Sequence, residues 1–197
     1  MIKIGLTGSI GSGKSIVSNF FKKWGCYIFD ADEVSKSILF KNETTQNEII
    51  AEFGTDVLGA NKKINNEKLA NIAFQNEDCQ SRLNAIMHPY VFEEIDKSIE
   101  ATIKRDKYDI FMVDAALIYE TGFDVHMDYV IVVTSRLILR TERALLSGKL
   151  TRDDFLRREK LQWPDEDKIN MADFVIHNNS TEKELKLEAK KIFEYFQ

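Results

Sequence analysis

The sequence predicts an α/β fold in which a parallel sheet of five strands is covered by helices on both faces. Short runs of β-branched and aromatic residues recur along the chain, and such runs are typical of strands that are buried on both faces. Helical patterns separate these runs. The predicted strands are Ile2 to Thr7, Tyr27 to Asp30, Ile110 to Ala115, Tyr129 to Thr134 and Phe174 to Ile176.

Three stripes of apolar residues at helical spacing predict the main helices. Pro89 precedes the middle stripe, and we expect it at the first helical position, where its missing N–H costs no hydrogen bond. The stripes are Val17, Phe20, Phe21 and Trp24; Val91, Ile95, Ile99 and Ile103; and Leu185, Ala189, Ile192, Phe193 and Phe196.

The spacing of the strands is uneven and predicts an insertion. Roughly 75 residues separate the second and third strands, far more than the dozen or so that a crossover needs. We interpret residues 31–107, which have helical patterns throughout, as a substrate-binding insertion, because insertions at the carboxyl ends of strands flank the ligand crevice. The alternative is a helical decoration without a ligand role. The sheet-bearing core then comprises residues 1–30, 108–135 and 173–197 of a single 197-residue unit.

The composition narrows the class of protein. A chain of 197 residues with 44% hydrophobic residues builds one compact domain, with room for a small appended unit. A net charge of −5 disfavours binding to nucleic acid or to acidic membranes, and no apolar stretch approaches the length of a membrane span. The N-terminus lacks the layout of a signal peptide. Cys26 and Cys79 lie far apart, which fits a reducing, cytoplasmic compartment.

A phosphate-binding loop follows the first strand. Residues 8–15 read Gly-Ser-Ile-Gly-Ser-Gly-Lys-Ser and fit the pattern G-x-x-x-x-G-K-[S/T] in full. Glycines allow the backbone N–H groups to turn onto a polyphosphate, Lys14 adds a charge at the β- and γ-phosphates, and Ser15 offers a hydroxyl to Mg²⁺. The strand before the motif and the helix after it favour this interpretation over a ligand-free turn. The predicted nucleotide-binding residues are Gly8, Ser9, Ile10, Gly11, Ser12, Gly13, Lys14, Ser15 and Ile16.

Carboxylates at strand ends are candidates for the chemistry. If the extended conformation persists, Asp30 and Asp32 point to the same side of the second strand. Phosphoryl transfer to a hydroxyl needs a carboxylate that accepts its proton, and we assign this role to Asp32. Asp30 either supports Mg²⁺-bound water or positions the loop. For both aspartates, the alternative is a cap of a helix that starts near Glu33. Asp114 either supports Mg²⁺ through water or is a polar strand end.

A basic segment follows the fourth strand and predicts a lid over residues 136–172. The stretch from Arg136 to Lys160 contains eight cationic and four acidic residues, in a chain that is acidic as a whole. Arginines that close over a transferred phosphoryl group stabilise its charge, and Ser147-Gly148 suits a bend between two helices. The alternative is an ordinary salt-bridged helical surface. The cations, with Arg140 the best candidate and Arg143 the next, are Arg136, Arg140, Arg143, Lys149, Arg152, Arg157, Arg158 and Lys160.

The order and spacing of these motifs resemble those of the dephospho-coenzyme A kinase family over nearly the whole chain. Besides the phosphate loop and the strand ends, two short elements match the family pattern. They are Met87-His88-Pro89, and Arg158 with Gln162. The longer matching stretches are residues 6–15, Phe29-Asp30-Ala31-Asp32, Asp114-Ala115-Ala116-Leu117-Ile118-Tyr119-Glu120 and Asp173-Phe174-Val175-Ile176-His177-Asn178.

The resemblance implies phosphorylation of the ribose 3′-hydroxyl of dephospho-coenzyme A by Mg-ATP, the last step of coenzyme A synthesis. It implies a P-loop kinase-like three-layer sandwich with a helical acceptor-binding insertion and a helical lid. Independently of the resemblance, we expect a cytoplasmic monomer or weak homo-oligomer. By matched position, Asp32 is the proton acceptor, Arg140 a phosphate-facing lid residue, and Asn178 a neighbour of the adenine edge. The residues expected on the acceptor side are Asp30, His88, Tyr119 and Glu120.

His88 alone would be interpreted as a cap or a packed histidine, so its acceptor-side role comes from the resemblance. The sequence departs from the family pattern at four places. Ile16 stands where Thr is usual, Ala116 where Pro is usual, and Asn65-Asn66 where Asp-Arg is common. Ala144 occupies the position at which the family has its second lid arginine, and Arg143 lies one residue before it.

Two other functions remain open at this point. A nucleoside-monophosphate or shikimate-type kinase needs an arginine-rich acceptor site in the insertion, but only Arg82 and Arg105 occur between Ala31 and Lys107. A non-catalytic ATP-binding module or ATP-driven switch would bind the nucleotide without acceptor-dependent turnover.

Overall fold

The computed structural model describes residues 1–148 and 150–197. Lys149, one of the cations of the predicted lid, lies outside the described residues. The chain divides into two compact units, one formed by Met1–Asp30 with Ser98–Gln197 and the other by Ala31–Lys97. Within the described residues, no helix is both long enough and apolar enough to cross a bilayer.

The first unit contains a five-stranded parallel sheet with the strand order β2-β3-β1-β4-β5. All five predicted strands form, and the predicted α/β fold class is confirmed. β3 ends one residue earlier than predicted and β5 one residue later. The strands are β1 (Ile2–Thr7), β2 (Tyr27–Asp30), β3 (Ile110–Asp114), β4 (Tyr129–Thr134) and β5 (Phe174–His177).

Helices separate the strands along the chain. Short 3₁₀ turns lie at Thr55–Val57 and Phe123–His126. The helices of the described residues are α1 (Lys14–Lys23), α2 (Ala31–Lys41), α3 (Glu43–Phe53), α4 (Asn66–Ala73), α5 (Glu77–Arg105), α6 (Leu137–Leu146), α7 (Arg152–Lys160), α8 (Asp165–Met171) and α9 (Glu182–Tyr195).

Alternating side chains of the sheet form two apolar layers in the first unit. In β4, Ile131 and Val133 belong to the large layer that α1 and α9 complete. Val130 and Val132 belong to a smaller layer on the other side, against which Ile169 of α8 packs. The other buried residues of the large layer include Ile4, Leu6, Val17, Phe20, Phe21, Ile110, Met112, Ile176, Leu185, Ala189 and Phe193.

The strand register gathers the predicted site residues of the first unit at one edge of the sheet. Leu6 in β1 is paired with Asp114 at the end of β3, and Asp114 is in turn paired with Asp30 at the end of β2. The phosphate loop begins two residues after Leu6. Because parallel strands present their carboxyl ends on the same side, the loop and both carboxylates come from adjacent positions.

The second unit is mostly helical, as predicted, but not throughout. A 3₁₀ turn and an isolated antiparallel bridge between Leu58 and Ile64 interrupt the helices. The Asn65 side chain accepts a hydrogen bond of 3.0 Å from the backbone N–H of Lys68 and so caps α4. The departure from the family pattern at Asn65 therefore has a structural role in this chain.

Two predicted helix starts are wrong. Pro89 lies inside α5, which already begins at Glu77, where Asn76 caps the first turn by accepting a hydrogen bond from Cys79 N–H (2.8 Å). Pro89 has no N–H group, so α5 continues through it with one hydrogen bond fewer. α2 begins at Ala31 rather than near Glu33. The extended conformation therefore ends at Asp30, and the expected alignment of Asp30 with Asp32 is wrong.

The edge-to-face contact between Phe21 and Phe193 allows a test of the packing in the large apolar layer. Phe21 is fully buried, and its ring centroid lies 5.9 Å from that of Phe193. We expect Phe21→Ala to lower the free energy of unfolding by about 3–5 kcal/mol, because the cavity adds to the lost burial. Leu187→Ala on the exposed side of α9 is the control, with an expected change within about 0.5 kcal/mol. Urea denaturation measures both, and equal losses would contradict the described packing.

Candidate active site

The phosphate loop between β1 and α1 depends on two glycines with left-handed backbone conformations. The φ angles are 79° at Gly11 and 96° at Gly13. A Cβ atom at Gly11 would lie 2.4 Å from the carbonyl oxygen of Arg140, and one at Gly13 would lie 2.2 Å from Nδ2 of Asn178. The two glycines therefore permit a close approach of the segments that follow β4 and β5.

Lys14 and Asp114 form an ion pair beside this loop. Lys14 is the first residue of α1, and Asp114 is the last residue of β3. The side chains are only 13% and 5% exposed. The ammonium group of Lys14 is thus held next to the loop. Asp30, which is paired with Asp114 in the strand register, is exposed at the same edge of the sheet.

Oxygen donors of the kind that Mg²⁺ prefers lie around this pair. Ser15 is exposed in the first turn of α1, and Asp114 and Asp30 end adjacent strands. Among the described residues, no group of three or more His, Cys, Asp or Glu side chains could hold a metal. Mg²⁺ bound together with phosphates needs only one or two protein ligands, so the available donors suit it in the presence of a triphosphate.

Arg140 is fixed against the phosphate loop. The side chain is 5% exposed, and its guanidinium group donates hydrogen bonds to the carbonyl oxygens of Ser135 (3.1 Å) and Ile10 (3.4 Å). The same group pairs with Glu159 at 3.2 Å and with Asp165 at 3.6 Å. The cation thus lies beside the loop, and four oxygen-bearing groups of the chain orient it.

Residues just before and at the start of α8 also contact the loop. The backbone N–H of Ile10 donates to Oε1 of Gln162 (2.9 Å). The Asp165 carboxylate accepts hydrogen bonds from the Ser9 hydroxyl and, at 2.8 Å, from the Thr134 hydroxyl. The first part of the loop is therefore held by side chains from the segment that precedes β5.

Asn178 and Arg143 hold the second part of the loop. The buried Asn178 side chain donates from Nδ2 to the carbonyl oxygen of Ser12 (2.8 Å). Arg143 in turn donates to the backbone carbonyl of Asn178 (3.0 Å) and to the Ser135 hydroxyl (3.2 Å). The Asn178 amide is thus directed at the loop backbone, and Arg143 supports it from α6.

Tyr119, in the loop after β3, is buried with its hydroxyl group in an unusual environment. The hydroxyl has no hydrogen-bond partner among the described residues. Burial, together with the negative charges of Asp173 and Asp124, raises the pKa of Tyr119 to about 12. The phenol is therefore neutral and able to donate a hydrogen bond at neutral pH. The Trp163 ring stacks against it at a centroid distance of 6.4 Å.

Glu120 is held by the segment that also contacts the phosphate loop. Its Oε1 atom accepts hydrogen bonds from Lys168 Nζ (2.7 Å) and from the backbone N–H of Trp163 (2.9 Å). Its Oε2 atom is buried without a partner among the described residues. The carboxylate is thus fixed through one oxygen, while the other has an open hydrogen-bonding capacity.

Asp32 and His88 belong to the second unit. Asp32 is exposed in the first turn of α2, where a carboxylate also interacts favourably with the helix dipole. His88 lies within α5, with its ring stacked on that of Phe92 at 5.6 Å. Burial lowers the pKa of His88, so the imidazole is neutral at neutral pH.

The sequence as a whole matches one protein family. The sequence model of the dephospho-CoA kinase family matches residues 2–184. The chain belongs to the dephospho-CoA kinase family. The dephospho-CoA kinase of Aquifex aeolicus is 36% identical over 194 residues, which is 98% of this chain and 97% of that relative. The family predicted from the motifs is confirmed.

Two solved structures share the fold of this dephospho-CoA kinase family member. The crystal structure of TT1252 from Thermus thermophilus has a TM-score of 0.81 and 26% identity, and the alignment covers 98% of this chain and 96% of that chain. The dephospho-CoA kinase from Campylobacter jejuni has a TM-score of 0.68 and 26% identity, with coverage of 98% and 95%.

Sequence reasoning missed several side chains at the site of this dephospho-CoA kinase family member. Asp165 and Lys168 contact the phosphate loop and Glu120, but the run of acids around Lys168 resembles a solvated surface. The sequence offered one indication of a shared role for Asp165 and Lys168, which is their spacing, because residues three apart lie on the same face of a helix. Ser135, which links Arg140 and Arg143, has no sequence pattern of its own.

The close approach of Asn178 to Gly13 predicts the effect of one added methyl group. Gly13→Ala combines left-handed strain with an overlap that shifts the loop, so we expect ATP affinity to fall roughly tenfold or more. Gly25→Ala is a matched control, because Gly25 has a φ of 98° but no atom within 4 Å of an added Cβ. Titration calorimetry with a non-hydrolysable ATP analogue should show unchanged affinity for the control. Equal affinities in both variants would contradict the described approach of Asn178.

Proposed function

We propose that this chain transfers the γ-phosphoryl group of ATP to the ribose 3′-hydroxyl of dephospho-coenzyme A, giving coenzyme A and ADP. This reaction is the last step of coenzyme A biosynthesis. The observation that carries the proposal is the phosphate loop flanked by the Lys14–Asp114 pair and by Arg140, in a chain of the dephospho-CoA kinase family. We further expect a cytoplasmic monomer or weak homo-oligomer; the free, buried cysteines Cys26 and Cys79 fit a reducing compartment.

The loop and two cations act on the triphosphate. The loop N–H groups and the positive end of α1 bind the phosphates, and Lys14 contributes its charge at the β- and γ-groups. Arg140 stabilises the charge that spreads over the transferred phosphoryl oxygens. Because Glu159 and Asp165 already orient its guanidinium group, little reorganisation is needed when that charge develops.

The oxygen donors at the sheet edge would hold Mg²⁺ with the nucleotide. Ser15 would offer its hydroxyl oxygen to the ion, and Asp114, which pairs with Lys14, would support the ion with its carboxylate. Asp30, which is exposed and paired in register with Asp114, would support the ion from the same edge of the sheet. The ion supplies compensation for the charge on the β- and γ-phosphates.

Asp32 accepts the proton of the acceptor hydroxyl in this proposal. Its exposed carboxylate follows the end of β2 by two residues, in the first turn of α2. The proposed acceptor-binding groups provide neutral and charged hydrogen-bonding partners. His88 and Tyr119 are neutral at neutral pH, and Glu120 offers a carboxylate oxygen without a partner in the described chain.

A panel of acceptors tests the proposed reaction. We expect ADP release from Mg-ATP with dephospho-coenzyme A, and little release with nucleoside monophosphates or shikimate. The phosphorylated product should carry the new group at the ribose 3′ position by phosphorus NMR. Preferred turnover of a nucleoside monophosphate would favour the alternative kinase, and ATP binding without acceptor-dependent turnover would favour a nucleotide-binding module.

Replacement of Asp32 tests its role as the proton acceptor. We expect Asp32→Asn to lower kcat by about 10²–10⁴-fold, because the amide cannot accept the proton. The affinity for an ATP analogue should stay unchanged, since the phosphate loop is intact. Glu33→Gln, the adjacent exposed acid in the same helical turn, is the control and should keep normal turnover. Near-normal turnover of Asp32→Asn in steady-state assays would remove Asp32 from this role.

A further inference from the structure

One short segment of the first unit contacts both the phosphate loop and the loop after β3. This bridging segment consists of residues 162–168. Gln162 accepts from the backbone of Ile10, and Asp165 accepts from the Ser9 hydroxyl. Further along the same segment, the Trp163 N–H and Lys168 Nζ both donate to Glu120. The bridging segment therefore links the site of the nucleotide to the proposed site of the acceptor.

Lys168 is the most constrained residue of the bridging segment. Its side chain is 0% exposed, and its ammonium group lies 2.7 Å from Glu120 Oε1. A second, longer contact of 3.5 Å reaches the carbonyl oxygen of Ala116. Burial of an ammonium group is costly, and the partner carboxylate offsets that cost only if the geometry is well defined. Well-packed apolar residues often replace such pairs without loss of stability, so stability alone does not account for this one.

The partner of Lys168 has an incomplete set of hydrogen bonds. Both donors meet Glu120 at Oε1, whereas Oε2 is buried without a partner among the described residues. The hydroxyl of the preceding residue, Tyr119, is also buried without one. Buried polar atoms normally have partners, so these two open atoms, an acceptor and a donor on consecutive residues, indicate a polar ligand. A carboxylate oxygen there binds an N–H or O–H group.

We propose that Lys168 is a positioning residue for the acceptor substrate. Together with the Trp163 N–H, it fixes Oε1 of Glu120 and compensates the charge of the carboxylate, which directs Oε2 toward a hydroxyl or amide donor of the acceptor. This inference rests on the proposed function and deepens it, because it assigns a residue of the predicted lid to recognition of the acceptor rather than of ATP. Lys168 itself does not touch the acceptor.

A set of variants tests this role in the full chain. Lys168→Met should raise KM for dephospho-coenzyme A roughly tenfold or more, because Glu120 loses its only charged partner among the described residues. The affinity for a non-hydrolysable ATP analogue should stay within about twofold. Lys168→Arg should recover most of the loss. Lys186→Met, an exposed lysine on α9, is the matched control and should match the unmodified protein.

The double variant Glu120→Gln/Lys168→Met separates positioning from folding, since it leaves no buried charge without a partner. If Lys168 acts through Glu120, this variant should have the same kcat/KM for the acceptor as Glu120→Gln alone. Independent, additive losses would overturn the proposal, as would a normal KM in Lys168→Met or a parallel loss of ATP affinity. Thermal unfolding identifies variants that do not fold.

The measurements also separate failure of this inference from failure of the proposed function. Turnover of a different acceptor by the unmodified protein would reject the proposed substrate, and the same KM comparison with that acceptor would still test Lys168. If no acceptor supports turnover, calorimetric binding of dephospho-coenzyme A decides, and absence of binding overturns both proposals.

Discussion

The ion pair between Lys14 and Asp114 is the interaction on which the arrangement of the phosphate loop depends. It joins the first residue of α1 to the last residue of β3, and both side chains are largely buried. Two charges are stable in such a place only when each has the other, so the helix start and the strand end must meet accurately. The parallel register of β1 with β3 provides this meeting, because it sets Asp114 beside Leu6, just before the loop.

Near this pair, two arginines of α6 make different contacts. The number of charged residues in the sequence does not distinguish these two arginines. Arg140 contacts the loop backbone and two acids, whereas Arg143 supports Asn178, which in turn holds Ser12. The three-residue spacing of the arginines places both on the side of α6 that meets the loop. The basic segment thus contains one arginine that contacts the loop directly and another that supports the loop through Asn178.

The fold was more accessible from sequence than the site. Short β-branched runs located the strands because burial on both faces leaves a local pattern, and the phosphate loop is a local motif as well. The start of α5 was predicted wrongly because Pro89 is a more conspicuous signal for the start of a helix than the Asn76 cap. The contact of Asp165 with Ser9 and that of Lys168 with Glu120 each join residues more than forty positions apart, and no local pattern encodes them.

The stacked rings of Tyr119 and Trp163 give this protein a built-in optical reporter. The chain has two tryptophans, and the other, Trp24, packs among the aromatic rings of the large apolar layer. Trp163 is 41% exposed and joins the bridging segment to the loop after β3, so the emission of its indole depends on whether these two parts remain in contact. With Trp24 replaced by phenylalanine, the remaining emission would follow their association in real time without an attached dye.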